Sequence, residues 1–298
     1  MTAKLTLGPL LFNWPAERWR DFYFEIADEA PLDMVYLGEV VCSKRLPFYA
    51  EYIPDVAERL AAAGKEVVFS SLALVMNNRE LAGVSELAEQ ADSLVEANDL
   101  SAVSYLSGKP HIVGPYISTY NEGTASYFAE RGAERIVLPP ELAGETIGEL
   151  AKVDVELEVQ VFGRLPLAIS ARCYHARSRN LHKDNCQFVC GEDLDGMKLS
   201  TVDGKDFLAV NGTQTLSHRY CNLAGELSTL LDLGVSHFRL SPQAIDMVAV
   251  ASCFRAQLEG KLDAEDATTR LSDLVEGVPF ADGFFHGQAG VDWTPAEV

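Results

Sequence analysis

Cys173, Cys186 and Cys190 follow the spacing C-x12-C-x3-C within ARCYHARSRNLHKDNCQFVC (residues 171–190), and a fourth thiol, Cys42, stands far upstream in GEVVCSKRLPF. Four thiolates can hold a tetrahedral zinc ion or an iron–sulfur cluster. Zinc sites most often use paired C-x2-C knuckles, which are missing here, and a C-x3-C pair with two scattered cysteines fits a cluster at least as well. A 4Fe–4S cluster on four thiolates is a net anion, and Arg172, Arg177, Arg179 and Lys183 lie among the thiols as counter-charges. Spacing alone leaves iron–sulfur and zinc both open, beside the plainer reading of a basic loop whose thiols coincide by chance.

The other cysteines read differently. Cys253 sits in the apolar helical pattern VAVASCFRAQL, where a small buried thiol is expected, and Cys221 near a helix start is also read as packing. His175 and His182 are placed around a metal site rather than on it, since four cysteines already complete the ligand set. The start, MTAKLTLGPLLFNWPAERW, is not patterned as a signal peptide, and no apolar run approaches the roughly 18 residues that span a bilayer. The chain is therefore expected in the cytoplasm, where structural disulfides are rare.

These residues need a scaffold that brings distant segments together. Apolar runs at 5–9, 33–39, 66–72, 93–98, 111–116, 135–140, 155–163 and 237–242 alternate with helical patterns at 15–29, 54–63, 78–91, 99–107, 121–132, 141–151, 222–233 and 243–258. Near-continuous apolar strands with crossover helices predict an α/β fold, a (β/α)8 TIM-like barrel in regular or irregular form, with a doubly wound open sheet as the alternative. The chain is read as one barrel domain over residues 1–298. About 70 residues separate the seventh and eighth runs, so an insertion at about 164–221 is expected to carry three of the cysteines and a β-hairpin turning at Asp203–Gly204. In such a barrel Cys42, just past the second strand, faces the same C-terminal mouth as the insertion.

With 298 residues and 48% hydrophobic composition the chain can bury a large core, while its net charge of −20 argues against general nucleic-acid binding. It has neither an HExxH zinc motif nor a GxSxG elbow.

The segment EVQVFGRLPLAISARC (residues 158–173) resembles the signature of the collagenase-like peptidase family: Glu-x-Phe-x-His-Gly-(Ala/Ser)-(Leu/Met)-Cys-x-x-x-Ser-Gly-x-Cys. Glu158, Gly163, Leu165, Ser170 and Cys173 match it, whereas Gln160, Phe162, Pro166 and Ala171 stand where the family has Phe, His, its first Cys and Gly. The resemblance runs along nearly the whole chain, including VYLGEVVCSKR and YNEGTASYFAERGAERIVLPPEL. The four cysteines resemble in spacing a branch of the family that works in oxygen-independent ubiquinone biosynthesis. That likeness implies 4Fe–4S ligation by Cys42, Cys173, Cys186 and Cys190, with zinc as the alternative. It further implies a heterodimer with a paralogue, a sterol-carrier-like lipid-binding accessory protein, a prenylated aromatic quinone precursor as substrate and prephenate as oxygen donor. Peptidase activity is disfavoured, because Phe162 removes the signature's proton carrier.

Strand-end position brings a few more residues to the mouth. Glu39, Asn13, Trp14 and Tyr116 are candidates to touch a substrate or to brace the ligand loops, and Arg45 or Arg172 to bind an anionic donor. Phe284 and Phe285 are candidates to line an apolar groove, against plain core packing. No catalytic base is assigned.

Overall fold

The computed structural model describes residues 3–90 and 93–294. Seven strands come first: β1 (Lys4–Leu7), β2 (Met34–Leu37), β3 (Glu66–Ser70), β4 (Val95–Ala97), β5 (His111–Val113), β6 (Ala133–Val137) and the long β7 (Glu156–Ile169). Three more, β8 (Met197–Ser200), β9 (Asp206–Asn211) and β10 (Gln214–Asn222), lie outside the ring they begin. Then β11 (His237–Leu240) pairs in parallel with both β7 and β1 and closes an eight-stranded parallel barrel. A short β12 (Phe280–Ala281) adds to β10. Each of the eight predicted apolar runs falls on one barrel strand, and the (β/α)8 architecture stands over the open-sheet alternative.

The helices in chain order are α1 (Ala16–Glu29), α2 (Leu46–Tyr49), α3 (Ile53–Ala62), α4 (Asn78–Gln90), α5 (Leu100–Leu106), α6 (Glu122–Ala129), α7 (Gly144–Leu150), α8 (Tyr174–Ser178), α9 (Leu227–Leu233), α10 (Met247–Leu258) and α11 (Ala264–Leu274). Their ends follow local chemistry. The Asn121 side chain accepts from the Thr124 amide at 2.9 Å and caps α6. The alternate, outward residues of the strands, such as Leu5, Val35, Val113, Ile136, Val159 and Phe238, pack with the helices into one apolar layer.

The inward residues are a different population. Met34, Tyr36, Val68, Ile112 and Val137 make a small apolar interior. Beside them lies a buried ionic chain. Arg239 Nε donates to Glu158 Oε1 at 2.7 Å, and its Nη2 lies 2.7 Å from Glu96 Oε1. Glu158 also accepts from Thr6 Oγ1 (2.7 Å) and Tyr36 OH (2.5 Å), with Arg135 Nη1 at 3.8 Å. The remaining Glu96 oxygen accepts from Ser70 Oγ and Asn98 Nδ2. A barrel interior built this way gains specificity rather than much net stability, because desolvating each ion offsets most of the Coulombic gain.

Above this network the strands end in close packing. A Cβ on Gly114 would lie 1.9 Å from Asn98 Oδ1 and 3.1 Å from Glu96 Cγ. Gly114→Ala is therefore expected to destabilise the fold by about 1–3 kcal/mol through overpacking, read as a lower urea midpoint with an unchanged slope. A midpoint equal to the parent's would show that Asn98 yields freely.

Past the barrel, β7 does not stop. Its outer half pairs antiparallel with β10, which pairs with β9, which pairs with β8. The β8–β9 hairpin turns at Gly204, whose φ of 82° suits a residue without a side chain. Pro166 in β7 sits opposite Leu216, where the ladder shifts register, a place that tolerates a missing amide donor.

Candidate metal centre

Cys42 rides a tight loop after β2 that is shaped by Gly38 and Glu39. Gly38 has φ 133°, and a Cβ there would lie 2.5 Å from the Ser70 carbonyl oxygen, so only glycine lets the loop cross β3. Glu39 is buried; its Oε1 accepts from the amides of Val41 (2.8 Å) and Cys42 (2.9 Å), and its Oε2 from Tyr49 OH (2.9 Å). Tyr49 stacks on Trp19 of α1 at 4.6 Å. Of its two sequence readings, Glu39 takes that of a brace for the Cys42 loop.

The other three thiols come from the segment between β7 and β8. Cys173 caps α8, its Sγ accepting from the Ala176 amide at 3.4 Å. Cys186 and Cys190 flank Gln187 (φ 50°) and Phe188 (φ 54°), two consecutive non-glycine residues in the left-handed region. Such a conformation costs on the order of 1–2 kcal/mol per residue and persists only where the surroundings hold it. Here Phe188 packs edge-on against Phe48 of α2 at 4.6 Å, and Lys44 Nζ donates to the Lys183 carbonyl at 2.7 Å. Both contacts tie the Cys186 loop to the Cys42 loop.

The result is one small cavity lined by Cys42, Cys173, Cys186 and Cys190 together with Arg45 and Gly212. Sequence-distant thiols therefore share a site at the barrel's C-terminal end. All six cysteines are free thiols. Among the described residues, no three His, Cys, Asp or Glu side chains are grouped tightly enough to hold a single metal ion. Burial raises the pKa of the Cys42 and Cys173 thiols, so ligation there must displace protons. Four soft sulfur donors in a small, partly cationic cavity suit an iron–sulfur cluster.

Two neighbours reach the sulfurs that sequence reading did not assign to them. Asn13 Nδ2 donates to Cys190 Sγ at 3.3 Å, and the buried Arg45 belongs to the cavity wall. Asn211 knits the site together: its Nδ2 donates to the carbonyls of Cys190 (2.9 Å) and Asp193 (2.8 Å), and its Oδ1 accepts from Arg45 and the Asn13 amide. Asn211 carried no signal in the sequence beyond its place before a turn glycine.

The remaining candidates separate. Trp14 Nε1 donates to the Leu194 carbonyl at 2.8 Å, a structural contact. Tyr116 packs with Cys42 against Leu11, Val40 and Val41, and its hydroxyl is buried without a protein partner. His175 is buried, with Nε2 2.9 Å from Asp193 Oδ2, and burial lowers its pKa. Arg172, Arg177, His182 and Lys183 line an open recess of about 650 Å³ that Cys173 also borders. Cys221 is packed in the core, its thiol pushed up to about 12 by burial, and Cys253 is buried in α10. Phe284 and Phe285 line a separate apolar cavity with Leu138, Leu142, Cys221 and Leu223. Phe162 is fully buried, edge-on to Tyr220, Phe254 and Phe280, so the signature's histidine position is an apolar core position here.

The model of Peptidase family U32 matches residues 18–295, and the chain belongs to that family. It is 26% identical over 192 residues to the tRNA hydroxylation protein P1 of Bacillus subtilis (strain 168), covering 59% of this chain and 45% of that protein. The chain thus spans about half the length of the curated relative it matches. Among solved structures it is similar to the U32 peptidase Mk0906, at 14% identity and a TM-score of 0.47, with 82% of this chain and 94% of that chain covered. It is also similar to phospho-2-dehydro-3-deoxyheptonate aldolase from Thermotoga maritima, at 13% identity and a TM-score of 0.42, covering 94% and 72%.

Proposed function

We propose that this chain is a UbiV-like subunit that carries a 4Fe–4S cluster on Cys42, Cys173, Cys186 and Cys190. It serves the oxygen-independent hydroxylation of ubiquinone precursors, as a heterodimer with a UbiU-like paralogue. The observation that carries the reading is the convergence of these four thiols, three from one loop segment and one from across the barrel mouth, on a single cavity. Held there, such a cluster would supply one-electron exchange, which can serve a ring hydroxylation that uses no molecular oxygen.

A family relative named for tRNA hydroxylation supports hydroxylation as the class of reaction. A net charge of −20 disfavours a nucleic acid as this chain's own substrate. The prenylated aromatic precursor, prephenate as oxygen donor and the sterol-carrier-like accessory protein follow from the branch resemblance. The cationic recess beside Cys173 offers Arg172 and Arg177 to an anionic donor. Peptidase chemistry has less to stand on, since Phe162 fills the place of the family's histidine.

The test is chemical. Protein purified without air is expected to contain about four iron and four sulfide per chain, with an EPR signal on reduction. Stoichiometric zinc without iron would overturn the reading. Co-purification with the paralogue, absent when either chain is expressed with a scrambled partner, checks the heterodimer.

A further inference from the structure

Among the described residues four arginines are buried: Arg45, Arg135, Arg164 and Arg239. Three meet carboxylates. Arg135 pairs with Glu156 at 2.9 Å, Arg164 with Asp195 at 2.5 Å, and Arg239 with Glu96 and Glu158 at 2.7 Å each. Arg45 does not. Its Nη1 donates to the Leu11 carbonyl at 3.1 Å and its Nη2 to Asn211 Oδ1 at 2.7 Å, both neutral acceptors. Its Nε is buried with no partner, and among the described residues it makes no ion pair.

A buried cation with no carboxylate in direct contact is under-compensated, and such a charge is best kept where further negative charge can come close. Arg45 lies in the wall of the four-cysteine cavity; the buried Glu39 carboxylate acts most strongly on its charge from beyond salt-bridge reach, followed by Cys190 and Cys42. The chain also makes room for it. Gly212 has φ 71°, and a Cβ there would lie 2.2 Å from Arg45 Nη2.

We propose that Arg45 is a positioning residue whose fixed positive charge is the counter-ion of the thiolate-bound group, held against Cys190 and Cys42 to stabilise its reduced, more negative state and so raise its reduction potential. The inference rests on the iron–sulfur reading above. Asn13, donating to Cys190 Sγ, acts in the same direction as a neutral dipole. Of the two cations that line the cavity, Arg45 is the buried one, and Lys183 also borders the open recess beside Cys173.

The test compares wild type with Arg45→Met and Arg45→Lys, each as the full chain. Metal-free protein is followed by thermal melting and iron-loaded protein by redox titration with EPR detection. Without metal, Arg45→Met is expected to melt close to wild type, because losing a buried charge that has no direct ion pair offsets the loss of its longer-range attraction to Glu39. Loaded with iron, it is expected to titrate at a more negative potential, with Arg45→Lys between the two. An unchanged potential in iron-loaded Arg45→Met overturns the inference alone. So does failure of both variants to take up iron while wild type loads fully, since lysine supplies the charge. Loading of Arg45→Lys but not Arg45→Met supports it. Wild type that binds no iron overturns the iron–sulfur reading itself, and this inference with it.

Discussion

A chain carrying Cys42→Ala and Cys186→Ala together is expected to leave anaerobic purification with at most about a tenth of the wild-type iron and sulfide, and no cluster EPR signal. The two thiols are half-buried on separate loops, joined by the Lys44–Lys183 contact and the Phe48–Phe188 edge. Removing both leaves Cys173 and Cys190 to hold the group alone. The fold should survive, because neither side chain belongs to the main apolar layer, and far-ultraviolet circular dichroism checks this. The pairing with Cys221→Ala is the useful control, since that thiol packs elsewhere and its loss should leave iron unchanged. Full retention of iron in the double variant would sink the ligand assignment.

The second large effect lies in the barrel interior. Glu158→Gln removes the counter-charge that Arg239 and Arg135 share, leaving them only Glu96 and Glu156, and is expected to cost up to about 3–5 kcal/mol. For a chain of this size that lowers the melting temperature by roughly 6–10 °C. Burial alone pushes the Glu158 carboxyl up, but Arg239, Arg135 and the neighbouring hydrogen bonds outweigh it and bring its pKa down to about 2. The folded value lies below the ordinary one of about 4.3, so the stabilisation is complete above that pH and is lost as pH falls toward 2. Melting curves of wild type should therefore steepen in their decline across that acid window, and those of Glu158→Gln should be flatter there. Equal melting temperatures at neutral pH would show that the network carries no weight.

The barrel was legible because parallel strands covered on both faces must be apolar, as in MVYL of β2 and HIV of β5. Its ionic interior was not read, although VELEVQ and HFRL carry their charges at alternate positions of the strand, the period that puts Glu158 and Arg239 on one face. Single charges inside apolar runs are easily taken for strand ends, and only the closed ring shows that they meet across it. Sequence also ends the seventh strand at residue 163, whereas β7 runs to Ile169, because its last residues gain their pairing from β10, some 50 residues later. At the site, grouping of the thiols followed from barrel topology. The roles of Asn13 and Asn211 did not, since a short polar side chain in a loop gives no hint of which carbonyl or sulfur it meets. Of Arg45 and Arg172, the two candidates for an anionic donor, Arg45 is buried in the wall of the four-thiol cavity and Arg172 lines the open recess beside it.

The double duty of β7 also orders the assembly of the molecule. One strand is both a stave of the ring and the root of the outer sheet, so the ring shuts only when β11 arrives from beyond the whole cysteine-bearing segment. Between Ile169 and His237 lie 67 residues (237 − 169 − 1), yet closing so long a loop costs only about 1.5 kcal/mol more than a twelve-residue crossover. Ring closure is thus a long-range pairing, of the kind that slows folding more than it costs stability.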